Sequence, residues 1–103
     1  MSKRIRRNMN AIKALARANT ATQRAMISTA NKDLILSLVE LSSNLIKGNV
    51  HLTKRQFNQL KGYNSHLKRL VKSNTSERQR RQLLQKGGFL GALLKPLLGL
   101  LFT

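Results

Sequence analysis

The sequence contains no cysteine and no tryptophan, and among 103 residues it has one proline, four aromatic side chains and three acids. Without cysteine there is no disulfide framework, no thiolate zinc site and no thiol nucleophile. The acids are Asp33, Glu40 and Glu77, and the two histidines, His51 and His66, lie fifteen residues apart. So few scattered groups supply neither an acid–base pair nor a metal ligand set, and no glycine-framed serine accompanies them. The chain therefore reads as a non-enzyme with no cofactor and no metal. Scarce aromatics argue against recognition of single strands or RNA loops, which uses stacking platforms. Phe57 is assigned to the core, and Tyr63 is the one candidate platform. After the basic start Met1-Ser-Lys-Arg-Ile-Arg-Arg, Lys13 and Arg17 interrupt any apolar run, so no signal peptide is read. The Arg-rich, acid-free first thirty residues also admit a transit peptide.

Positive charge is what the sequence has in abundance. Twenty Lys and Arg give a formal net charge of +17, while 41% of residues are hydrophobic, close to a globular value. A compact state with that excess repels itself, which implies a polyanionic partner. Arg4, Arg6, Arg7, Arg17 and Arg24 form one basic group. Lys54, Arg55, Lys61, Lys68, Arg69 and Lys72 form a second, and Arg78, Arg80, Arg81 and Lys86 a third. Guanidinium and ammonium groups suit phosphate, and each phosphate contact releases counterions without reading sequence. No zinc finger, RNP motif or heptad zipper is present. These groups, Arg24 excepted, are the candidate contacts to double-stranded DNA. The densest stretch, Lys68, Arg69 and Lys72 with Arg78, Arg80 and Arg81, is expected to dominate.

Spacing of the apolar residues is helical. Ile5, Met9, Ile12 and Ala16 mark one face, and Thr20 or Thr22 can cap a short second helix with Ala25, Met26 and Ile27. Asn31 caps a third, with Asp33 in its first turn and Leu34, Ile35, Leu38, Leu41, Leu45 and Ile46 on its apolar face. Lys47 and Gly48 stop it. Thr53-Lys-Arg-Gln56 fits a capping box ahead of Phe57, Leu60, Leu67, Leu70 and Val71, with Gly62 weakening the middle. Ser76-Glu-Arg-Gln79 opens a fifth helix. The fold class is all-α: a small bundle of four to five short amphipathic basic helices, with a C-terminal apolar tail after Gly87-Gly88. Residues 1–86 make the basic nucleic-acid-binding domain, and 87–103 the Gly-Gly junction and tail. About twenty apolar side chains before that junction make a thin core, so part of the fold is expected to order on binding.

The tail carries one charge, Lys95. As a fifteen-residue helix from Phe89 it spans only about 22 Å, short of about 30 Å of hydrocarbon. Pro96 removes a backbone donor and kinks it. Two placements follow. Phe89, Leu90, Leu93, Leu94, Leu97, Leu98, Leu100, Leu101 and Phe102 either touch membrane or capsid, with nearby cations favouring anionic lipid, or pack back to complete the core.

Gln85-Lys-Gly-Gly-Phe-Leu90, followed by Leu93-Leu94 and Pro96-Leu97-Leu98, resembles the end of the adenoviral late core protein X, precursor of the mu peptide. It is similar above all to the small basic proteins of adenovirus-like Polinton (Maverick) elements and adintoviruses. Arg4-Ile-Arg-Arg, Lys47-Gly48-Asn49-Val50 and Leu52-Thr53-Lys-Arg-Gln56 are a weaker match. The resemblance implies that the basic part condenses double-stranded DNA in a virion core and host nucleus. It also implies that a viral cysteine protease cuts at Gly87-Gly88, before Phe89, releasing the tail. The chain departs from that pattern in having Gln85 where the protease prefers an aliphatic residue, Leu84 lying one place upstream. It departs again in its regular amphipathic helices. The competing functional readings are a membrane-active protein working through residues 89–103 and an RNA- or ribosome-associated basic protein; without the viral setting, location is nuclear or cytoplasmic.

Overall fold

A computed structural model describes residues 2–97. Eight α-helices appear among them: α1 (Lys3–Arg7), α2 (Met9–Arg17), α3 (Thr20–Thr29), α4 (Lys32–Ile46), α5 (Lys54–Lys61), α6 (Asn64–Val71), α7 (Glu77–Leu84) and α8 (Phe89–Leu94). A 3₁₀ turn over Lys95–Leu97 follows. The fold is all-α, with more and shorter helices than the apolar spacing suggests. Two of the expected helices are broken. Asn8, held by its side chain to the Arg4 carbonyl at 2.8 Å, separates α1 from α2. Gly62 and Tyr63 separate α5 from α6, and the apolar tail adds α8.

Side-chain caps set most starts, because each helix leaves its first amides without partners. Asn31 Oδ1 accepts from the Leu34 amide at 2.8 Å. Both capping boxes form: Thr53 with Gln56 at 3.2 and 3.0 Å, and Ser76 with Gln79 at 3.2 and 3.1 Å. For α3 the cap is Asn19, which accepts from the Thr22 amide at 2.8 Å, and neither Thr20 nor Thr22 fills that role. Gly48, at φ +76°, ends α4 in the left-handed region.

The longest helix, α4, is central and packs against α1, α2, α6 and α7. Leu34, Ile35, Leu38, Leu41 and Leu45 are buried along it. Ser37 and Ser42 are buried too, their hydroxyls donating to the Leu34 and Leu38 carbonyls at 2.6 and 2.8 Å, so neither hydroxyl is stranded. Helix α8 lies against α2 and α5. Of the nineteen buried apolar side chains among the described residues, Phe89, Leu90, Leu93, Leu94 and Leu97 supply five.

The compositional break at Gly87-Gly88 is therefore not a break in packing, and α8 belongs to the same core as the basic helices. Of the two placements for the tail, residues 89–97 take the packed one, since burying five large side chains is worth more than leaving them wet. Phe89, Leu90, Leu93, Leu94 and Leu97 thus face the core, and a membrane or capsid contact through them requires α8 to leave it. Leu98, Leu100, Leu101 and Phe102 lie outside the described residues. Among the described residues no helix is long and apolar enough to cross a membrane. The Cα radius of gyration, 12.4 Å, matches the roughly 13 Å of a compact chain of about 100 residues.

Two expected core residues are outside it. Ile46 is 45% exposed and Phe57 57% exposed, because α5 turns Leu60, not Phe57, to the interior. Tyr63 is half-buried rather than an open platform. Its ring packs on Phe89 at 5.4 Å between centroids, and its hydroxyl donates to the Gly87 carbonyl at 3.2 Å.

Candidate nucleic-acid interface

With twenty cations and three acids, the internal ion pairs are few and identifiable. Asp33 accepts from Arg7 Nη2 at 3.0 Å, Arg4 Nε at 3.2 Å and Asn8 Nδ2 at 2.8 Å. The Arg7 and Asn8 hydrogen bonds hold its carboxyl down at about 2, and the Arg7 guanidinium is raised in return. Glu40 accepts from Arg4 Nη1 at 3.3 Å and from the Ser2 hydroxyl. Together these contacts fasten α1 across the start of α4. Glu77 pairs with Arg81 at 3.3 Å, one helical turn on.

Other arginines add a charged donor at helix C-termini, where a cation complements the dipole. Arg80 Nε donates to the Leu70 carbonyl at 3.0 Å and Arg80 Nη2 to the Lys72 carbonyl at 3.1 Å, closing α6 from α7. Arg81 Nη1 reaches the Ile27 carbonyl of α3 at 2.8 Å. Arg24 and Gln85 exchange side chain for backbone in both directions, at 3.1 and 3.0 Å.

The fourteen expected DNA contacts thus divide. Arg4, Arg7, Arg80 and Arg81 are engaged in holding helices together, and Arg17 also has an interaction within the molecule. The guanidiniums of Arg4, Arg7, Arg80 and Arg81 are oriented by carboxylates and carbonyls of the fold itself. Arg6, Lys54, Arg55, Lys61, Lys68, Arg69, Lys72, Arg78 and Lys86 are exposed, and none hydrogen-bonds or ion-pairs through its side chain within the described residues.

Four of these nine come together. Lys68, Arg69 and Lys72 line an open cleft of about 580 Å³ between α6 and α7, with Ser65, Asn74, Thr75 and Gln79. Arg69 and Gln79 continue into a smaller hollow of about 160 Å³ that ends at Lys86. No acid lines either one. The loop between the helices is tied down, Thr75 donating from its hydroxyl to the Arg69 carbonyl at 2.6 Å and from its amide to the Lys72 carbonyl at 3.1 Å. A fixed concave strip of cations edged by amide and hydroxyl groups suits phosphate oxygens, as point charges plus hydrogen-bond partners. Arg6 stands apart on α1, and Lys54 and Arg55 on the first turn of α5. Sequence reasoning missed Ser65, which shares a face of α6 with Lys68 and Arg69, and it missed Asn74, Thr75 and Gln79, which the α6–α7 turn brings to the same cleft.

At the junction, Gly87 and Gly88 are exposed while Phe89 is fully buried. Gly88 has φ +79°, a backbone conformation that favours glycine, so the fold alone accounts for it. No such requirement exists at Gly87, where a β-carbon would meet only the flexible tip of Arg24 at 3.3 Å. No family model, curated protein or solved structure matches the chain.

Proposed function

We propose that the protein binds double-stranded DNA without reading its sequence and condenses it, as a packaging protein of a virus-like genome. The observation that carries this reading is the strip of unpaired cations Lys68, Arg69, Lys72 and Lys86 around the α6–α7 cleft, in a molecule of net charge +17. Phosphates on one duplex strand take the strip, and Arg6, Lys54, Arg55, Lys61 and Arg78 extend the field to neighbouring segments, so that one molecule draws separate duplex stretches together. A cut between Gly88 and Phe89 belongs to the same proposal. It requires α8 to leave the core first, because the residue after the scissile bond is buried. Virion core and host nucleus are the compartments this reading implies.

The test is a salt series with the full chain and two duplexes of unrelated sequence. The expected result is equal affinity for both and a log–log salt slope of about −5 or steeper, reporting six or more neutralised phosphates. Weak binding with a shallow slope overturns it, and so does a strong preference for structured RNA at matched salt.

A further inference from the structure

Ile46 and Phe57 are the exposed large apolar side chains among the described residues, and they line the same hollow. Its volume is about 330 Å³, its floor is made by the buried Leu45, Leu60 and Leu67, and Lys61 stands on its rim. Two large apolar groups left in water beside each other, over a floor of leucines, mark an interaction site more than chance exposure.

From this we infer that the hollow between the end of α4 and helices α5 and α6 docks an acidic amphipathic helix of a partner protein. The charge arrangement selects that occupant. Lys54 and Lys61 stand three residues before and four residues after Phe57 on α5, which puts them along the same face, and Lys47 directly follows Ile46. No acid lines the hollow. A helix carrying apolar residues at i, i+3 or i+4 and i+7 seats them against Phe57, Ile46 and the leucine floor, while its flanking carboxylates meet the lysines. A second copy of the chain is disfavoured, because the same cationic rim would meet itself within a pair already at +17 each. Leu67 lines the hollow and Lys68 the α6–α7 cleft, so the partner leaves the Lys68, Arg69, Lys72 and Lys86 strip to the duplex and shares with it only the outlying Lys54 and Lys61.

The probe is a short fluorescein-labelled peptide with leucines at those helical intervals and glutamates elsewhere, compared with an isomer in which the stripe is scrambled. Anisotropy with the full chain at physiological salt is expected to show the patterned peptide binding at least about tenfold more tightly than its isomer. Phe57→Ser and Ile46→Ser each remove most of that difference, while melting temperature and duplex affinity stay unchanged. Equal binding of the two peptides, or indifference to both substitutions, overturns the inference and leaves charge alone. Self-association lost in Phe57→Ser assigns the hollow to a second copy. Phosphatidylglycerol-vesicle binding lost in that variant assigns it to lipid, and peptide binding that appears only after deletion of residues 98–103 assigns it to the chain's own C-terminus. Each of these three results overturns the inference as well.

Discussion

A β-carbon on Gly88 would stand 2.8 Å from the Tyr63 hydroxyl oxygen, and the same Gly88 has φ +79°. The Tyr63 hydroxyl is fixed there by donating to the Gly87 carbonyl, and its ring is fixed by Phe89. Tyr63 therefore holds the turn that leads α8 into the core.

Gly88→Ala is expected to destabilise the fold by about 1–2 kcal/mol for the left-handed backbone, with further cost from the Tyr63 collision. Gly87→Ala should fall within about 0.5 kcal/mol of the parent, since only the Arg24 tip has to move. Chemical denaturation of the two variants side by side checks this. Equal losses would mean that the turn relaxes freely and that Tyr63 does not constrain it.

Arg80 and Arg69 separate holding the fold from binding a partner. Arg80→Ala leaves the Leu70 and Lys72 carbonyls at the end of α6 without their charged donor, at a cost of about 1–2 kcal/mol. Arg69→Ala removes an exposed, unpaired guanidinium and should leave the melting temperature nearly unchanged. On duplex DNA the order reverses: Arg69→Ala lowers the magnitude of the salt slope by about 1 for the lost phosphate contact, and Arg80→Ala lowers it less. Thermal melts and a salt titration on the same preparations decide the matter.

What was legible in the sequence follows from how local each signal is. The Thr53–Gln56 and Ser76–Gln79 capping boxes, the Asn31 cap and the Gly48 stop are settled within four residues, and all are present. The face of α4 was legible for the same reason, as five leucine and isoleucine positions repeat at helical intervals. What decides the candidate site is long-range. Nothing near Arg81 in sequence says that its guanidinium caps α3 fifty-four residues earlier, and nothing near Asp33 says that α1 brings it two arginines. A run of cations reads as a binding surface until the carbonyls and carboxylates around each one are known. Phe57 was misplaced because Phe57 and Leu60, three apart, fit one helical face equally well, and only packing chose Leu60.

The Asp33 cluster makes stability depend on acid. Its carboxyl is held at about 2 in the folded protein by Arg7, Asn8 and Arg4, below its ordinary 3.8. A group whose folded value is depressed stabilises the fold above the unfolded value and loses that contribution as pH falls toward the folded one. Melting temperature should therefore drop between about pH 4 and pH 2. Asp33→Asn should lower the plateau at neutral pH and flatten that drop. A parent and variant that decline in parallel through this range would show that α1 is not held by this carboxylate.

Removal of residues 89–103 tests whether the basic helices stand alone. Phe89, Leu90, Leu93, Leu94 and Leu97 are each buried to 1% exposure or less. At about 1.5–3 kcal/mol for burying such a side chain, their loss is comparable to the whole stability of a small domain, about 5–15 kcal/mol. The truncated chain should keep part of its helical circular dichroism but lose its cooperative melt and its dispersed amide spectrum. Duplex DNA should restore some of that order by neutralising the charge that opposes compaction. Because α4 packs against four other helices while α8 touches α2 and α5, the loosening should begin at α2 and α5 and leave α4 with α6 the last to exchange. A truncated chain that melts cooperatively near the parent's temperature would mean that α8 caps a core already complete without it.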